Sequence, residues 1–566
     1  MLPNFIKNLK LQLVHNRNLY FFLIVWFVIN LIQSAFTELA HDEAYYWMYS
    51  RYLDWGYFDH PPMIAVLIKF GYSLFKNELG VRLLTSVMGT FTLFMLYQLI
   101  EVNRNLKVFI MLCVSIVLMH SHIAGFLAIP DLPVIFFATL FFILIKKYIE
   151  KDNMITALLI GITSALMLYS KYHGILILTF TFSAHIKFIK RKSFWIIPLV
   201  LIVLMIPHLS WQIENHFPSF QYHLYTRSSI YKIGYTWNYI YSQLLIAGPL
   251  VSILIFYNAF TVKAENIFNR ILKFNLTGIY LFFLLMSFKG RVEAHWTAIA
   301  FIPLIVLSYK KIIESKQSIF WLKALFIPSI IGFIFIRIWM VYEIIPAKIN
   351  PAKELHNWDK WAYEIDSLSN DRKVVFVNSF QRPSKFCFYT GAEFSHSLNN
   401  IYYRKNQYDI WNFENILQHD SVFLVSSRTP DDSIITVVGE KYRFEYIDNF
   451  KSYCNLIIEI PGIKSIRAKP GEKKILHLNI INPRNQDISF SNGDKIVATF
   501  HDGKKYLKRG TLMQLNDIFI PAMGSKKFMV DLEMPLKSDE YSLYISIMTR
   551  NQSPALNANL IGVSVE

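Results

Sequence analysis

The sequence predicts a polytopic α-helical membrane protein of about eleven spans, followed by an α/β domain and a final all-β, sandwich-like domain. Three observations carry this. Of the 566 residues, 54% are hydrophobic, 16% aromatic and 17% charged, and the mean hydropathy is +0.32, a balance foreign to soluble enzymes. Apolar runs of spanning length recur as far as Val341 and then stop. Beyond them the pattern changes to short apolar stretches set between polar turns.

The formal charge of +17 does not mark a nucleic-acid binder. The basic residues lie in short clusters between apolar runs and form no stripe. The N-terminal stretch carries Lys7, Lys10 and Arg17 ahead of an apolar run with no small-residue cleavage site, which reads as an uncleaved signal anchor.

Candidate spans lie near Leu19–Phe36, Val81–Ile100, Val108–Phe126, Leu132–Ile149, Ile155–Ser170, Gly174–Ile189, Phe194–Trp211, Tyr239–Phe260, Ile271–Phe288, Ala294–Ser308 and Ile319–Val341. With the N-terminus cytoplasmic, the inside segments hold about 19 basic residues and the opposite loops, including Arg51 and Arg227, about eight, so the positive-inside rule supports that orientation. It places Thr37–Pro62, Asp131, Lys171, the Gln212–Trp237 loop, Arg291 and everything after about Tyr342 on the extracytoplasmic face of the plasma (inner) membrane.

The expected domains are residues 1–345 in the membrane, 346–460 as an α/β unit and 461–566 as a β-sandwich. PAKELHNWDKWAYEIDSL reads as an amphipathic helix, and KVVFVNSF, SVFLVSS and NLIIEI as strands of the α/β domain. KKILHLNII, KIVATF, KFMVDLEM and YSLYISIM read as strands of the sandwich. Three cysteines form no metal-ligand pattern. Cys387 and Cys454, outside the cytoplasm, could pair.

Chemistry concentrates in TELAHDEAYYWMYSRYLDWGYFDHPP, Thr37–Pro62, which crowds Asp42, Glu43, Asp54 and Asp59 with His41, Arg51 and His60 beside a membrane. One reading makes HDEAYYW an interfacial helix with its tyrosines in an aromatic belt and its acids in water. The other makes Asp42 a desolvated general base. Asp59 either caps the helix begun by Pro61-Pro62 or faces Asp42 with His60 as an acid/base pair. His41, Asp42, Glu43, Asp59 and His60 hold ligand atoms for a divalent metal but lack diagnostic spacing.

Asp131, alone in AGFLAIPDLPVIFF, is either a helix cap or a site acid. Lys171, Tyr172 and His173, and Lys289, Arg291 and His295, are either snorkelling anchors or partners for an anionic group such as a lipid phosphate.

Taken together, DEAYYW, FDHPP, the isolated Asp131, Lys171 and the His295-Trp296 pair resemble the GT-C glycosyltransferases, within them the protein O-mannosyltransferase-like group that includes the bacterial lipid A aminoarabinose transferase. The likeness covers roughly Leu19 to Val341, and Asn350 to Thr429 is similar to the soluble tail of bacterial members. The final β domain resembles no family.

The resemblance implies inverting transfer of a sugar from a polyprenyl-phosphate carrier to a lipid, glycan or protein acceptor, with no cofactor required and a divalent metal left open. It makes Asp42 the base with Glu43 its neighbour, and carries Asp59 and His60 over as the pair before Pro-Pro. His60 stands where the aminoarabinose transferase has lysine, which leaves its role, charge partner or hydrogen-bond donor, open. Asp131, Lys171, Tyr172, Arg291, His295 and Tyr46 become substrate-binding candidates, with Lys171 and Arg291 on the departing phosphate. A lipid or sugar flippase is the rival, disfavoured because the ionisable residues cluster at one interface and no repeat shows. A membrane anchor for the C-terminal domains would leave the charged first loop unexplained.

Overall fold

The computed structural model describes residues 17–101, 104–223, 231–346, 349–350, 352–427, 433–503, 505–549 and 552–566. Lys7, Lys10 and Arg227, counted above for orientation, lie outside them. The chain forms two compact units, Met1–His356 and Asn357–Glu566.

Among the described residues of the first unit seven helices are long and apolar enough to cross a membrane: Arg17–Phe36, Glu78–Leu99, Asp131–Glu150, Lys192–Glu214, Ile267–Met286, Ala294–Glu314 and Lys316–Val341. Shorter apolar helices, Met63–Leu74, Leu106–Ser115, Met154–Ser170, Gly174–Ala184 and Ser252–Thr261, fill in between them. Ala294–Glu314 lies at the centre, 78% buried, whereas Lys316–Val341 is 17% buried. An apolar helix with so much exposed surface suits contact with lipid chains.

Three expected spans are broken. Val108–Phe126 ends as an α-helix at Ser115, takes one 3₁₀ turn over Val117–His120 and becomes a loop, where the polar His120-Ser121-His122 run interrupts the apolar pattern. Tyr239–Phe260 is two helices, Ile233–Ile246 and Ser252–Thr261. Gly248 sits between them at φ +109°, and a Cβ there would fall 2.5 Å from the Ser115 carbonyl oxygen, so only glycine fits the bend. Gly174–Ile189 likewise ends as an α-helix at Ala184. Met63–Leu74, directly after Pro61-Pro62, is an apolar helix not among the expected spans.

Polar side chains tie the first crossing helix to the last. Arg337 donates to Asn30 Oδ1 at 2.8 Å, and Gln33 Nε2 donates to the Arg337 carbonyl at 3.2 Å. Asn30 and Trp26 both donate to the Ala124 carbonyl, at 2.9 and 2.7 Å.

The second unit begins with the helix Trp358–Ser369, which buries Trp358, Trp361, Ala362 and Ile365. Its sheet has the order β2-β1-β3-β5-β4, with β1 Lys373–Val377, β2 His396–Leu398, β3 Val422–Ser426, β4 Ile434–Ile435 and β5 Lys441–Ile447. β2 and β3 run parallel to β1, and β5 antiparallel to β3. The later strands are β6 Ile457–Glu459, β7 Ser465–Ala468, β8 Lys473–Ile481, β9 Ile488–Ser489, β10 Lys495–His501, β11 Tyr506–Gln514, β12 Phe519–Ile520, β13 Ser525–Glu533, β14 Asp539–Met548 and β15 Ile561–Val565.

They form sheets β11-β10-β14-β15-β7 and β13-β8-β6, with a β12-β9 pair. Alternate residues such as Leu476, Leu478 and Ile480 of β8 face Ile545 and Ile547 of β14 across one core. NLIIEI, expected in the α/β sheet, instead supplies β6, which pairs with β8. Arg484 joins the two layers of this unit, bonding Glu414 at 3.3 Å and the Ser452 carbonyl at 2.7 Å. No disulfide joins Cys387 and Cys454.

Candidate active site

The first charged loop folds into the helix His41–Arg51 because Glu43, in its first turn, accepts the Ala40 N–H at 2.9 Å and so caps the start. The same carboxylate takes Arg82 Nε at 2.7 Å, Arg82 Nη2 at 2.5 Å and the Ala128 N–H at 2.7 Å. Arg82 spends its other donors on the carbonyls of Ser34, Thr37 and Glu38, at 3.1, 2.6 and 2.8 Å. Neither side chain touches solvent. The pair is a bidentate charge-assisted clamp that fixes the helix against the spans.

Asp42, one residue earlier, is exposed, as the reading with the acids in water expects and not desolvated as the general-base reading does. His41 N–H donates to Glu354 at 3.2 Å. From Glu43 to Ser50 every residue is buried, so this is not an interfacial helix with its tyrosines in a belt. The tyrosines pack inward: Tyr49 stacks on Tyr57 at 4.0 Å, Tyr45 donates to Asp59 Oδ2 at 3.1 Å, and the Tyr46 ring meets His60 edge-on at 5.5 Å.

His60 is held neutral. Burial, and then the positive charge of Lys171, lower its pKa to about 3, against the opposing pull of Asp59 and Asp131. That mutual influence places His60 beside the second cluster.

There Lys171 Nζ lies 2.8 Å from both oxygens of Asp131, with both side chains buried. Asp131 begins the helix Asp131–Glu150 but makes no capping bond, and Lys171 does not snorkel to water. His295 Nε2 stands 4.0 Å from Asp131 Oδ2, and its ring stacks on His122 at 5.2 Å. His173 packs between Phe283 and Trp296, 5.2 Å from each. Tyr172 OH meets His208 Nε2 at 3.0 Å and accepts from Gln212 at 2.9 Å, while Ser219 donates to the Tyr57 carbonyl at 3.1 Å. This network binds the Lys171 turn to the DWGYF loop, where Trp211 Nε1 also donates to Asp54 at 2.8 Å.

Asp59, His60, Asp131, Lys171 and His295 thus share one neighbourhood, with Asp59, Asp131 and Lys171 buried, His60 and His295 half-buried, and Tyr46 and Tyr172 at its edge. Glu43 is engaged by Arg82 instead. Arg291 is exposed and donates to Glu293 at 3.4 Å. Among the described residues no three His, Cys, Asp or Glu side chains are grouped to hold a metal ion. Sequence reasoning missed Arg82 and His122. The signal for Arg82 was available, since an ionisable residue inside an apolar run demands a partner.

Residues 59–211 match the sequence model of the family Dolichyl-phosphate-mannose-protein mannosyltransferase. Asp59, His60, Asp131 and Lys171 all fall inside that segment. The structure is similar to that of ArnT from Cupriavidus metallidurans in the apo state, with 12% identity over 76% of this chain and 98% of that one and a TM-score of 0.54. The structure of the same protein bound to undecaprenyl phosphate matches with a TM-score of 0.50, at the same identity and coverage. No curated protein sequence matches the chain. The chain thus shares the GT-C fold of ArnT, and the segment that carries Asp131 and Lys171 is similar in sequence to the mannosyltransferase family.

Proposed function

We propose that the chain moves a sugar from a polyprenyl-phosphate carrier to an envelope lipid, glycan or protein acceptor, with inversion at the anomeric carbon. The reaction takes place on the extracytoplasmic face of the plasma (inner) membrane, with the N-terminus cytoplasmic. The observation that carries this reading is the buried Asp131–Lys171 pair beside the imidazoles of His60 and His295. A buried ammonium held by one carboxylate and flanked by neutral N–H donors is suited to a phosphate. The bound state of the ArnT structure, with undecaprenyl phosphate, supports the same ligand class here.

In this mechanism the exposed Asp42 takes the proton of the acceptor hydroxyl or amine as that atom attacks the anomeric carbon. The bond from the anomeric carbon to the phosphate oxygen breaks, and its electron pair leaves with the lipid phosphate. Lys171, aimed by Asp131, stabilises the charge that develops, with His60 and His295 as hydrogen-bond donors and the exposed Arg291 as a further cation. Phosphate leaves readily, so no covalent intermediate is needed. Glu43 acts at one remove: clamped by Arg82, it sets the helix on which Asp42 rides. Tyr46 orients His60, and Asp59 is fixed by Tyr45.

Purified protein and a panel of polyprenyl-phosphate sugars test this directly. Asp42→Ala is expected to lower the transfer rate by about 10²- to 10⁴-fold, the range for loss of a general base. Retention of most of the wild-type rate by that variant would sink the assignment.

The neutral state of His60 has its own signature. Its folded-state pKa lies below its unfolded value of about 6.5, so the stability it contributes is present above pH ~6.5 and is lost as pH falls towards 3. The thermal midpoint of the wild type, compared with that of His60→Gln, should fall progressively below pH ~6.5. Parallel curves for the two proteins from pH 8 to 4 would refute a buried neutral imidazole.

A further inference from the structure

The second unit contains a pocket that the transfer chemistry does not use. It has a volume of about 390 Å³ and lies where the chain leaves β1, β2 and β3, lined by Asn378, Asn400, Tyr403, Arg443, Glu445 and Gln552. Its position follows from topology. The chain passes from β1 to β2 on one side and then to β3 on the other, and in open parallel sheets the crevice at the carboxyl ends of strands that diverge in this way is where ligands settle. In this unit Gln552, Ser553 and Ala555 form the opposite wall of the crevice.

The lining selects the chemistry. Asn378 holds a left-handed backbone, φ +57°, and is locked to Asn400 by two bonds: the Asn400 N–H donates to Asn378 Oδ1 at 3.0 Å, and Asn378 Nδ2 donates to Asn400 Oδ1 at 2.9 Å. Strain of this kind persists where surrounding structure enforces it, often at ligand sites. Arg443 and Glu445 stand two residues apart on β5, so both project to the same face. Neither side chain has a hydrogen-bond or ion-pair partner among the described residues, although both backbones pair with β3.

One charge of each sign leaves the pocket without a net field for an anion. The turn after β1, Asn378-Ser379-Phe380, carries no glycine-rich nest for a phosphate. Amides, a phenol, a guanidinium and a carboxylate instead supply alternating donors and acceptors, which hydroxyl groups require in equal measure. The tyrosine ring offers an apolar surface to C–H groups. The volume sits at the lower end of the ~300–1,000 Å³ typical of small-ligand sites, room for about one or two sugar rings.

We propose that the second unit binds a small uncharged saccharide in this pocket, a function independent of the transfer site.

The test uses the full chain, purified in a detergent without a sugar headgroup, and titration calorimetry with glucose, galactose, mannose, N-acetylglucosamine and maltose. At least one is expected to bind with a Kd between ~10 µM and ~1 mM. Arg443→Ala and Glu445→Ala remove no intramolecular bond, so both should fold normally and weaken binding at least ~10-fold. Gln552→Ala provides a third variant from the opposite wall. No binding by any of these sugars at ~10 mM, unchanged affinity in all three variants, or binding of inorganic phosphate in place of the sugars would overturn the proposal. Because the readout is binding and not transfer, its failure leaves the transferase reading standing, and the converse holds.

Discussion

Replacing Arg82 with leucine lowers stability by about 3–5 kcal/mol, the cost of leaving one member of a fully buried ion pair uncompensated. Glu43 would keep two backbone donors, Ala40 and Ala128, but lose its only charge partner among the described residues. The carbonyls of Ser34, Thr37 and Glu38 would lose their shared donor as well. The drop is read as the thermal midpoint of the detergent-purified protein. The double variant Arg82→Leu with Glu43→Met should recover much of it, because two apolar groups leave no buried charge behind. Transfer should remain impaired in that double variant, since the start of the helix that carries Asp42 is no longer clamped. An Arg82→Leu protein as stable as wild type would show that the clamp contributes nothing.

The second large effect concerns Lys171. Its conversion to methionine strands the Asp131 carboxylate in a buried site and removes the cation assigned to the leaving phosphate. Adding Asp131→Asn relieves the first loss and not the second. The double variant should therefore regain stability while its transfer rate stays about 10²- to 10³-fold below wild type, the range for removing one electrostatic stabiliser. Recovery of both stability and rate would reduce Lys171 to a structural counter-ion for Asp131.

The membrane character of the chain was legible because spanning helices need long apolar runs, and Arg17–Phe36, Asp131–Glu150 and Lys316–Val341 are such runs. Bends were not legible. Hydropathy averages over Gly248 and over His120-Ser121-His122, although these positions end helices. Met63–Leu74 follows the helix start that Pro61-Pro62 offered but was not counted as a span, because a 12-residue helix that includes Lys69 falls short of a full crossing.

At the site, Asp131 and Lys171 stood out as charges in apolar surroundings, and the structure pairs them. Glu43 and Asp42 looked alike in sequence, being adjacent acids. One residue of helix rotation sends them in different directions, Glu43 onto Arg82 and Asp42 to solvent, and no local pattern reveals a partner 39 positions away. In the second unit, alternation identified β8, β10, β13 and β14 from their apolar faces. The polar edge strand β11, YLKRGTLMQ, lacked that alternation, and NLIIEI gave no sign of which sheet it would join.

The bond from the His41 N–H to Glu354 links residues 313 positions apart, and this bears on how the molecule is made. The helix that presents Asp42 emerges early in synthesis, yet one of the groups that satisfies its first turn is added after the last crossing helix. Arg337, the partner of Asn30, arrives equally late. A nascent chain halted before residue 337 therefore holds the acidic loop without its closing contacts, and the site is completed only when the whole first unit has been inserted.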